Sequence, residues 1–167
     1  MTGASADLFD AEVVNGTIHL TLAKSGDNYS TKATYKIVPL LTICDQQVKG
    51  PALSIKVTQS ALKLASLPNR TVYTSQATPL LQTLHVTAPA AAEIRDVTLN
   101  AKTSAALRSA LDTAGGLQSR GATIAFPAKA FTGLKPGNYT VILDITPVNA
   151  ASDSKPTQAK FTLTVKK

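Results

Sequence analysis

Short segments in which apolar residues alternate with polar ones recur along the chain and are separated by turn-forming residues. A period of two is that of a half-buried β-strand. Many short strands bounded by turns are typical of antiparallel sheets packed face to face. The sequence therefore predicts an all-β sandwich, whose core should contain the apolar members of these segments: Leu84, Val86, Val97, Leu99, Ile124, Val141, Leu143, Ile145, Phe161, Leu163 and Val165.

Two segments predict their local structure directly. Asn15-Gly16 lies between two alternating runs, and Asn-Gly supplies the positive φ angles that a type I′ hairpin turn requires. In the second run His19 falls on the polar side, so we expect it to face solvent. Residues 104–112 break the period of two, because Leu107 and Leu111 lie four residues apart. This spacing predicts one short helix there.

The chain contains an internal repeat. A part in its first third and a part at its end follow the same order: a Thr-Ile strand, a strand led by Tyr, a polar loop and a closing strand. Tyr35 corresponds to Tyr139 at an offset of 104 residues, and Val57 corresponds to Val165 at an offset of 108. A period near 100 residues is that of an immunoglobulin-like sandwich, so we predict that fold class.

The two copies of the repeat are unequal. Residues 1–58 match only the second half of the later copy, so we predict a partial immunoglobulin-like repeat there, followed by a complete sandwich domain over residues 59–167. Half a sandwich leaves edge strands and an apolar face uncovered. Three arrangements would cover them: packing against the complete domain in one continuous fold, strand pairing with a second chain, or membership of a longer array.

A junction and a corner carry a resemblance to a known group of proteins. The junction is LSIKVTQSALKLA, residues 53–65, where one repeat closes and the next begins. The corner is formed by Leu134, Pro136, Gly137 and Tyr139. Both resemble the Ig-like and fibronectin-III-like tandem repeats of secreted or cell-surface proteins of Firmicutes. The resemblance implies a tyrosine corner, in which the phenol hydroxyl bonds to backbone upstream and the site is structural. The first repeat has Lys-Ala in place of Pro-Gly.

Composition argues against several functions. The formal charge is +7, but the basic residues are spread singly, unlike a nucleic-acid-binding surface. Cys44 is the one cysteine and cannot form an internal disulfide, and neither His19 nor His85 gives it a metal-site pattern. The chain has no apolar run long enough for a transmembrane helix, and its N-terminus lacks signal-peptide features. We expect no cofactor, no metal, no nucleic acid and no membrane insertion.

These observations predict a non-catalytic structural or adhesion module of a bacterial surface or secreted protein, acting outside the cell as a spacer or presentation scaffold. We predict no catalytic, cofactor-binding or metal-binding residues. The expected partners are a cell-wall polymer or another protein. One alternative is a carbohydrate- or ligand-binding module of a secreted enzyme, with Tyr29 and Tyr73 exposed on one face. The other is an Ig-like decoration domain of a phage virion.

Overall fold

The computed structural model describes residues 1–90 and 92–167. By its contacts the chain divides into two compact units: unit 1 is Met1–Gln59 with Asn149–Ser154, and unit 2 is Ser60–Val148 with Lys155–Lys167. The first boundary lies one residue after the predicted division. The membership of Asn149–Ser154 in unit 1 has no counterpart in the sequence-based division, which considered continuous segments only.

The elements of unit 2 follow the alternating segments of the sequence. They are β7 (Lys63–Leu64), β8 (Arg70–Tyr73), β9 (Leu80–Thr83), β10 (Val86–Ala88), β11 (Ile94–Leu99), α1 (Ala105–Thr113), β12 (Gln118–Arg120), β13 (Thr123–Phe126), α2 (Lys129–Thr132), β14 (Gly137–Pro147) and β15 (Thr157–Lys166). The predicted short helix is confirmed as α1. Its Leu107 and Leu111 are both buried, as their spacing of four requires.

Unit 2 is a β-sandwich. One sheet has the strand order β11-β14-β15-β8, in which β8 runs parallel to β15 and the other pairs are antiparallel. Opposite it lie the sheet β12-β13-β9 and the pair β10-β7. Both layers share one core, where the rings of Phe126 and Phe161 meet edge to face at 5.9 Å. This order matches the two sheets of an immunoglobulin-like domain, so the predicted fold class is confirmed.

The predicted core of unit 2 is confirmed. Nine of the eleven residues are buried, and Val86 and Leu99 pack half-buried against them. The core also holds buried side chains that alternation alone did not identify, and these come from the helices, the loops and further strands: Leu62, Leu67, Val72, Leu107, Leu111, Phe126, Ala130, Phe131 and Leu134.

Unit 1 consists of three two-stranded antiparallel sheets, β1-β2, β3-β6 and β4-β5. The strands are β1 (Phe9–Val14), β2 (Thr17–Leu22), β3 (Tyr35–Ile37), β4 (Leu40–Ile43), β5 (Gln46–Lys49) and β6 (Leu53–Ile55). Single 3-10 turns cover Ala6–Leu8 and Gly26–Asn28. The predicted hairpin at Asn15-Gly16 is confirmed, since both residues have positive φ, 49° and 76°. His19 is exposed, as expected.

The interior of unit 1 is aromatic. The rings of Phe9, Tyr29 and Tyr35 pack edge to face in all three pairs, with centroids 5.8 or 5.9 Å apart. Together with Ile37 they form the buried cluster of this unit. The hydroxyl of Tyr29 donates to the carbonyl oxygen of Leu8. A small unit thus obtains much of its buried area from three large side chains.

The two units share a strand register that corresponds to the sequence repeat. Tyr35 lies opposite Ile55 in the β3-β6 pair, and Tyr139 lies opposite Leu163 in the β14-β15 pair. The sequence offsets of 104 and 108 residues carry Tyr35 to Tyr139 and Ile55 to Leu163. The repeated segments therefore form the same Tyr-led strand pair in both units.

Candidate functional site: the tyrosine corner and its groove

The corner singled out in the sequence connects α2 to β14. Leu134 is buried in the core of unit 2, and its N–H donates to the carbonyl oxygen of Phe131 at 3.2 Å. Pro136 and Gly137 are exposed, and Gly137 has a φ of 157°, which L side chains rarely adopt. The chain thus turns between the buried Leu134 and the start of β14. Glycine fits at the first position of this strand because it adopts such a φ without steric cost.

Tyr139 closes this corner. Its ring is half-buried against the core, and its hydroxyl donates to the carbonyl oxygen of Lys135 at 2.7 Å. This bond gives a partner to a loop carbonyl that no strand pairs with in the described part of the chain. The geometry is that of a phenol bonded to backbone four residues upstream. The structural role of the corner remains a prediction.

The counterpart in unit 1 has a different geometry. The hydroxyl of Tyr35 accepts a hydrogen bond from the backbone N–H of Ser30, five residues upstream, and donates a long one of 3.5 Å to the Ser30 carbonyl oxygen. Lys32 and Ala33 lie where the second repeat has Pro and Gly. Because Tyr35 is buried among aromatic rings, its hydroxyl lies deeper than that of Tyr139.

An open groove of about 640 Å³ lies beside the corner, between α1 and α2. The hydroxyl groups of two threonines in its lining donate to backbone carbonyl oxygens: Thr113 to Ser109 at 2.9 Å and Thr132 to Lys129 at 2.9 Å. The ammonium groups of Lys129 and Lys135 are at its exposed rim. The groove could therefore attract an anionic group, and its lining contains no acid–base pair.

Three polar side chains that sequence reasoning missed form a cluster around Asp144 of β14, with one partner just after β11 and the other on β15. Asn100 donates to both oxygens of the Asp144 carboxylate, at 2.7 and 3.0 Å. Gln158 donates to the same carboxylate at 3.1 Å. Acidic residues are uncommon in strands. The presence of Asp144 within an alternating segment was therefore the one sign in the sequence that this position is special. The partners lie 44 and 14 residues away, so the sequence could not identify them.

The loop that leads into α1 is also fixed to β14 by side chains. The Thr103 hydroxyl donates to the Ile142 carbonyl oxygen at 2.9 Å and accepts from the Ile142 N–H at 3.0 Å. The Ser104 hydroxyl accepts from the Thr140 N–H at 2.9 Å, and so does not cap α1 although it lies at the N-cap position. These hydroxyls extend the hydrogen bonding of β14 beyond the end of β11.

In unit 1, the segment Asn149–Ser154 is held by four residues of the N-terminal part. Ser152 donates both its N–H and its hydroxyl to the carbonyl oxygen of Tyr29, at 2.7 and 2.8 Å. The side-chain oxygen of Gln59 accepts from the Ala151 N–H at 2.9 Å and from the Ser154 hydroxyl. In addition, Gly26 approaches Asn149 so closely that a Cβ atom there would lie 2.4 Å from the Asn149 carbonyl oxygen. Thr31 supplies the remaining contact.

Asp153 is the one residue in this segment with a perturbed pKa. Thr31 donates its N–H to Oδ1 at 2.8 Å and its hydroxyl to Oδ2 at 2.9 Å. The backbone hydrogen bond from Thr31 is the main reason that the pKa of Asp153 falls from 3.8 to about 2, and desolvation acts in the opposite direction. The carboxylate therefore acts as an ionised acceptor that fixes this segment within unit 1.

The residues considered for other chemistry are not part of the corner or of the lining of the groove. Cys44 is exposed in the turn between β4 and β5, where it has a φ of 48°. His19 and His85 are exposed on strands or next to them. Among the described residues, no group of three or more His, Cys, Asp or Glu side chains could hold a metal ion.

The aromatic pair that the carbohydrate-binding alternative requires is not exposed. Tyr29 is fully buried, whereas Tyr73 is 49% exposed. Within residues 1–90 and 92–167, Tyr73 is also the one aromatic side chain with an exposed ring, since the four Phe and Tyr35 are buried and Tyr139 is half-buried. The sequence did not indicate the burial of Tyr29, because Tyr29 lies in an irregular loop, where no alternation shows which side chains are buried.

Comparisons with known proteins add no family. No protein-family model and no curated protein matches the chain. Among solved structures, human mucin-like protocadherin EC1-2 aligns with a TM-score of 0.41 and 13% identity, covering 98% of this chain and 81% of that one. An I9-I11 tandem from titin aligns with a TM-score of 0.37 and 11% identity, covering 96% and 49%. A mutated three-domain titin structure, I67-I69, aligns with a TM-score of 0.34 and 14% identity, covering 95% and 50%.

The chain thus spans about half the length of each titin structure. At these TM-scores the alignments carry no argument about function, so we base the fold class on the strand order of unit 2. In the described part of the chain, no helix is long and apolar enough to cross a membrane.

Proposed function

We propose that the chain is a non-catalytic structural or adhesion module with an immunoglobulin-like sandwich, acting as a spacer or presentation scaffold. The observation that carries this proposal is the hydrogen bond from the Tyr139 hydroxyl to the Lys135 carbonyl oxygen at 2.7 Å. The Tyr139 hydroxyl is the polar group of the most distinctive motif in the sequence, and this bond uses it to fix the backbone of the corner. Asp144, Thr103 and Ser104 are engaged in the same way, each bonded to a neighbouring strand or loop.

The proposed location is outside the cell, on the surface of a bacterium or in a secreted protein. The support is the resemblance of the residue 53–65 junction and of the corner to repeats of such proteins. The proposed partner of the scaffold is another protein, and a cell-wall polymer is the proposed partner of the binding module described next.

The groove between α1 and α2 favours a second candidate, a ligand-binding module. Its volume of about 640 Å³ falls within the range of small-molecule sites. Because Lys129 and Lys135 carry positive charge, the ligand class that fits this groove best is an anionic polymer, such as a teichoic acid. A decoration domain of a phage virion is the other alternative, and it would also act as a scaffold.

A thermal-shift series separates the scaffold from the binding module. A ligand that binds the folded state alone raises the unfolding temperature as its concentration increases. We expect no saturable shift with teichoic acid or neutral glycans at physiological salt. A saturable shift that disappears in Lys129→Ala/Lys135→Ala, but persists in the matched control Lys155→Ala/Lys160→Ala, would support the binding module instead.

A further inference from the structure

The strand β2 has one edge that no strand of the described residues covers; on its other edge it pairs with β1. In unit 2 the equivalent strand is β13, which also follows a hairpin partner and begins with Thr-Ile. The second edge of β13 pairs with β9. Ile124 of β13 is fully buried, whereas the corresponding Ile18 of β2 is 36% exposed. Leu22, two residues beyond the half-buried Leu20, is 52% exposed. The repeat therefore indicates that the sequence of β2 suits a strand that is paired on both edges, as β13 is.

The backbone groups at this open edge follow from the hydrogen bonding to β1. Ala23 donates its N–H to the carbonyl oxygen of Leu8 at 3.0 Å, next to the Phe9–Leu22 pair. In an antiparallel ladder, every second residue pair exchanges hydrogen bonds. Counting along β2 in steps of two, three residues direct their N–H and C=O groups away from β1: Ile18, Leu20 and Leu22.

The edge lacks the features by which proteins protect open strands. Its sequence, Thr-Ile-His-Leu-Thr-Leu, contains no Lys, Arg, Asp, Glu or Pro, and its ladder with β1 has no bulge. By contrast, β1 carries Asp10 and Glu12. A long, uncharged edge with exposed apolar side chains is a site for pairing with another strand.

We propose that this edge pairs with the same edge of a second copy of the chain, antiparallel, with a two-fold axis at Leu20. In this register Leu20 faces the partner's Leu20, and Ile18 faces the partner's Leu22. All three outward-directed residues of each copy then exchange hydrogen bonds, and the apolar side chains of both copies share one face.

The register is set by geometry. A shift by one residue would place outward-directed groups opposite inward-directed ones and mix the two faces of the sheet. A shift by two residues would leave fewer pairs. The pairing is isologous, because the same patch serves both copies. His19 is the one titratable side chain of β2, and it faces the partner's Thr21, so the contact contains no like-charge pair.

Sedimentation equilibrium of the full chain tests this contact. A single strand pair is smaller than a standard interface, so loading concentrations from about 10 µM to 1 mM are suitable. We expect a reversible monomer–dimer equilibrium. Leu22→Pro, which removes an outward-directed N–H, and Leu22→Lys, which adds an edge charge, should each raise the dissociation constant about tenfold or more.

The matched control is Leu81→Lys, since Leu81 of β9 is 56% exposed and Leu22 is 52% exposed. It makes the same chemical change at a similarly exposed strand position and should leave the dissociation constant unchanged. Circular dichroism verifies that each variant is folded. A wild-type chain that stays monomeric at 1 mM, or a dimer that the Leu22 variants leave intact, would overturn the proposal.

Cysteine cross-linking tests the register independently. In a Cys44→Ser background, one preparation carries His19→Cys and another carries Thr21→Cys. The proposed register makes these residues a non-hydrogen-bonded cross-strand pair, with Cα atoms about 4.5 Å apart, which a disulfide can span. The mixture should form cross-linked dimers faster than either preparation alone. Equal rates in all three samples would show that this register is wrong.

Discussion

Thr31 and Asp153, 122 residues apart in sequence, are joined by two hydrogen bonds of 2.8 and 2.9 Å within unit 1. The N–H and the hydroxyl of one residue thus meet the two oxygens of one carboxylate. This contact connects the segment between β14 and β15 with the N-terminal part of the chain. No sequence pattern at either residue indicated it.

The pKa of Asp153 makes this contact sensitive to acid. Since its pKa is lowered from 3.8 to about 2 in the folded chain, its contribution to stability is fully present above pH 3.8 and is lost as the pH falls through about 2. An NMR titration of the side-chain carboxyl should give a midpoint near 2. In Asp153→Asn, unfolding temperatures should depend less on pH in this window than they do in the wild type. A carboxyl midpoint at 3.8 would contradict the contact.

The core of unit 2 should respond strongly to truncation. Leu143→Ala and Phe161→Ala remove fully or almost fully buried side chains from the two long strands, and each should cost about 2–5 kcal/mol of unfolding free energy. Leu81→Ala, at an exposed position, should change it by less than about 0.5 kcal/mol. Urea denaturation measures all three. A loss as small as that of Leu81→Ala at both core positions would mean that the strand faces are assigned wrongly.

The hydroxyl of Thr103 should contribute to the stability of the fold, because it forms hydrogen bonds with both the N–H and the carbonyl oxygen of Ile142. Thr103 is 3% exposed, so Thr103→Val leaves a backbone N–H and a C=O without this partner at nearly constant side-chain volume. The expected cost is about 1–3 kcal/mol in chemical denaturation. Thr98→Val, on an exposed position of β11, makes the same change without such a bond and should be close to neutral. Equal effects at the two positions would contradict the assigned role.

Much of unit 2 could be predicted from its sequence, because residues along its long strands alternate between the core face and the outer face. Val141, Leu143 and Ile145 are buried since every second residue of β14 faces the core. Similarly, the spacing of Leu107 and Leu111 sufficed for α1. Alternation is a local signal, and it identifies elements whose burial is set by one neighbouring layer.

Unit 1 was less predictable, since its burial depends on distant or missing neighbours. Ile18 and Leu22 have the pattern of core residues, and yet both are exposed because no second strand covers β2 in the described residues. Tyr29 shows the reverse, because a loop residue forms the centre of the aromatic cluster. Hydrogen bonds such as Asn100–Asp144 join residues 44 apart, and no local pattern contains that information.

The corner itself was recognisable from Leu134, Pro136, Gly137 and Tyr139, since these residue types fit a turn followed by a strand. The groove beside it was not, because its walls come from α1 and α2, which are separated in sequence. The sequence thus indicated the corner, whereas the groove beside it became visible only in the structure.

The most direct test of our account is Tyr139→Phe, measured for both stability and binding. This change keeps the ring and removes the hydroxyl that bonds to Lys135. Because that bond is exposed, we expect a lower unfolding midpoint and a loss of about 0.5–1.5 kcal/mol. Teichoic acid, tested well below the midpoint, should bind saturably to neither the wild type nor the variant. Saturable polymer binding by the wild type that Tyr139→Phe loses at unchanged stability would contradict the scaffold role and identify Tyr139 as a recognition residue.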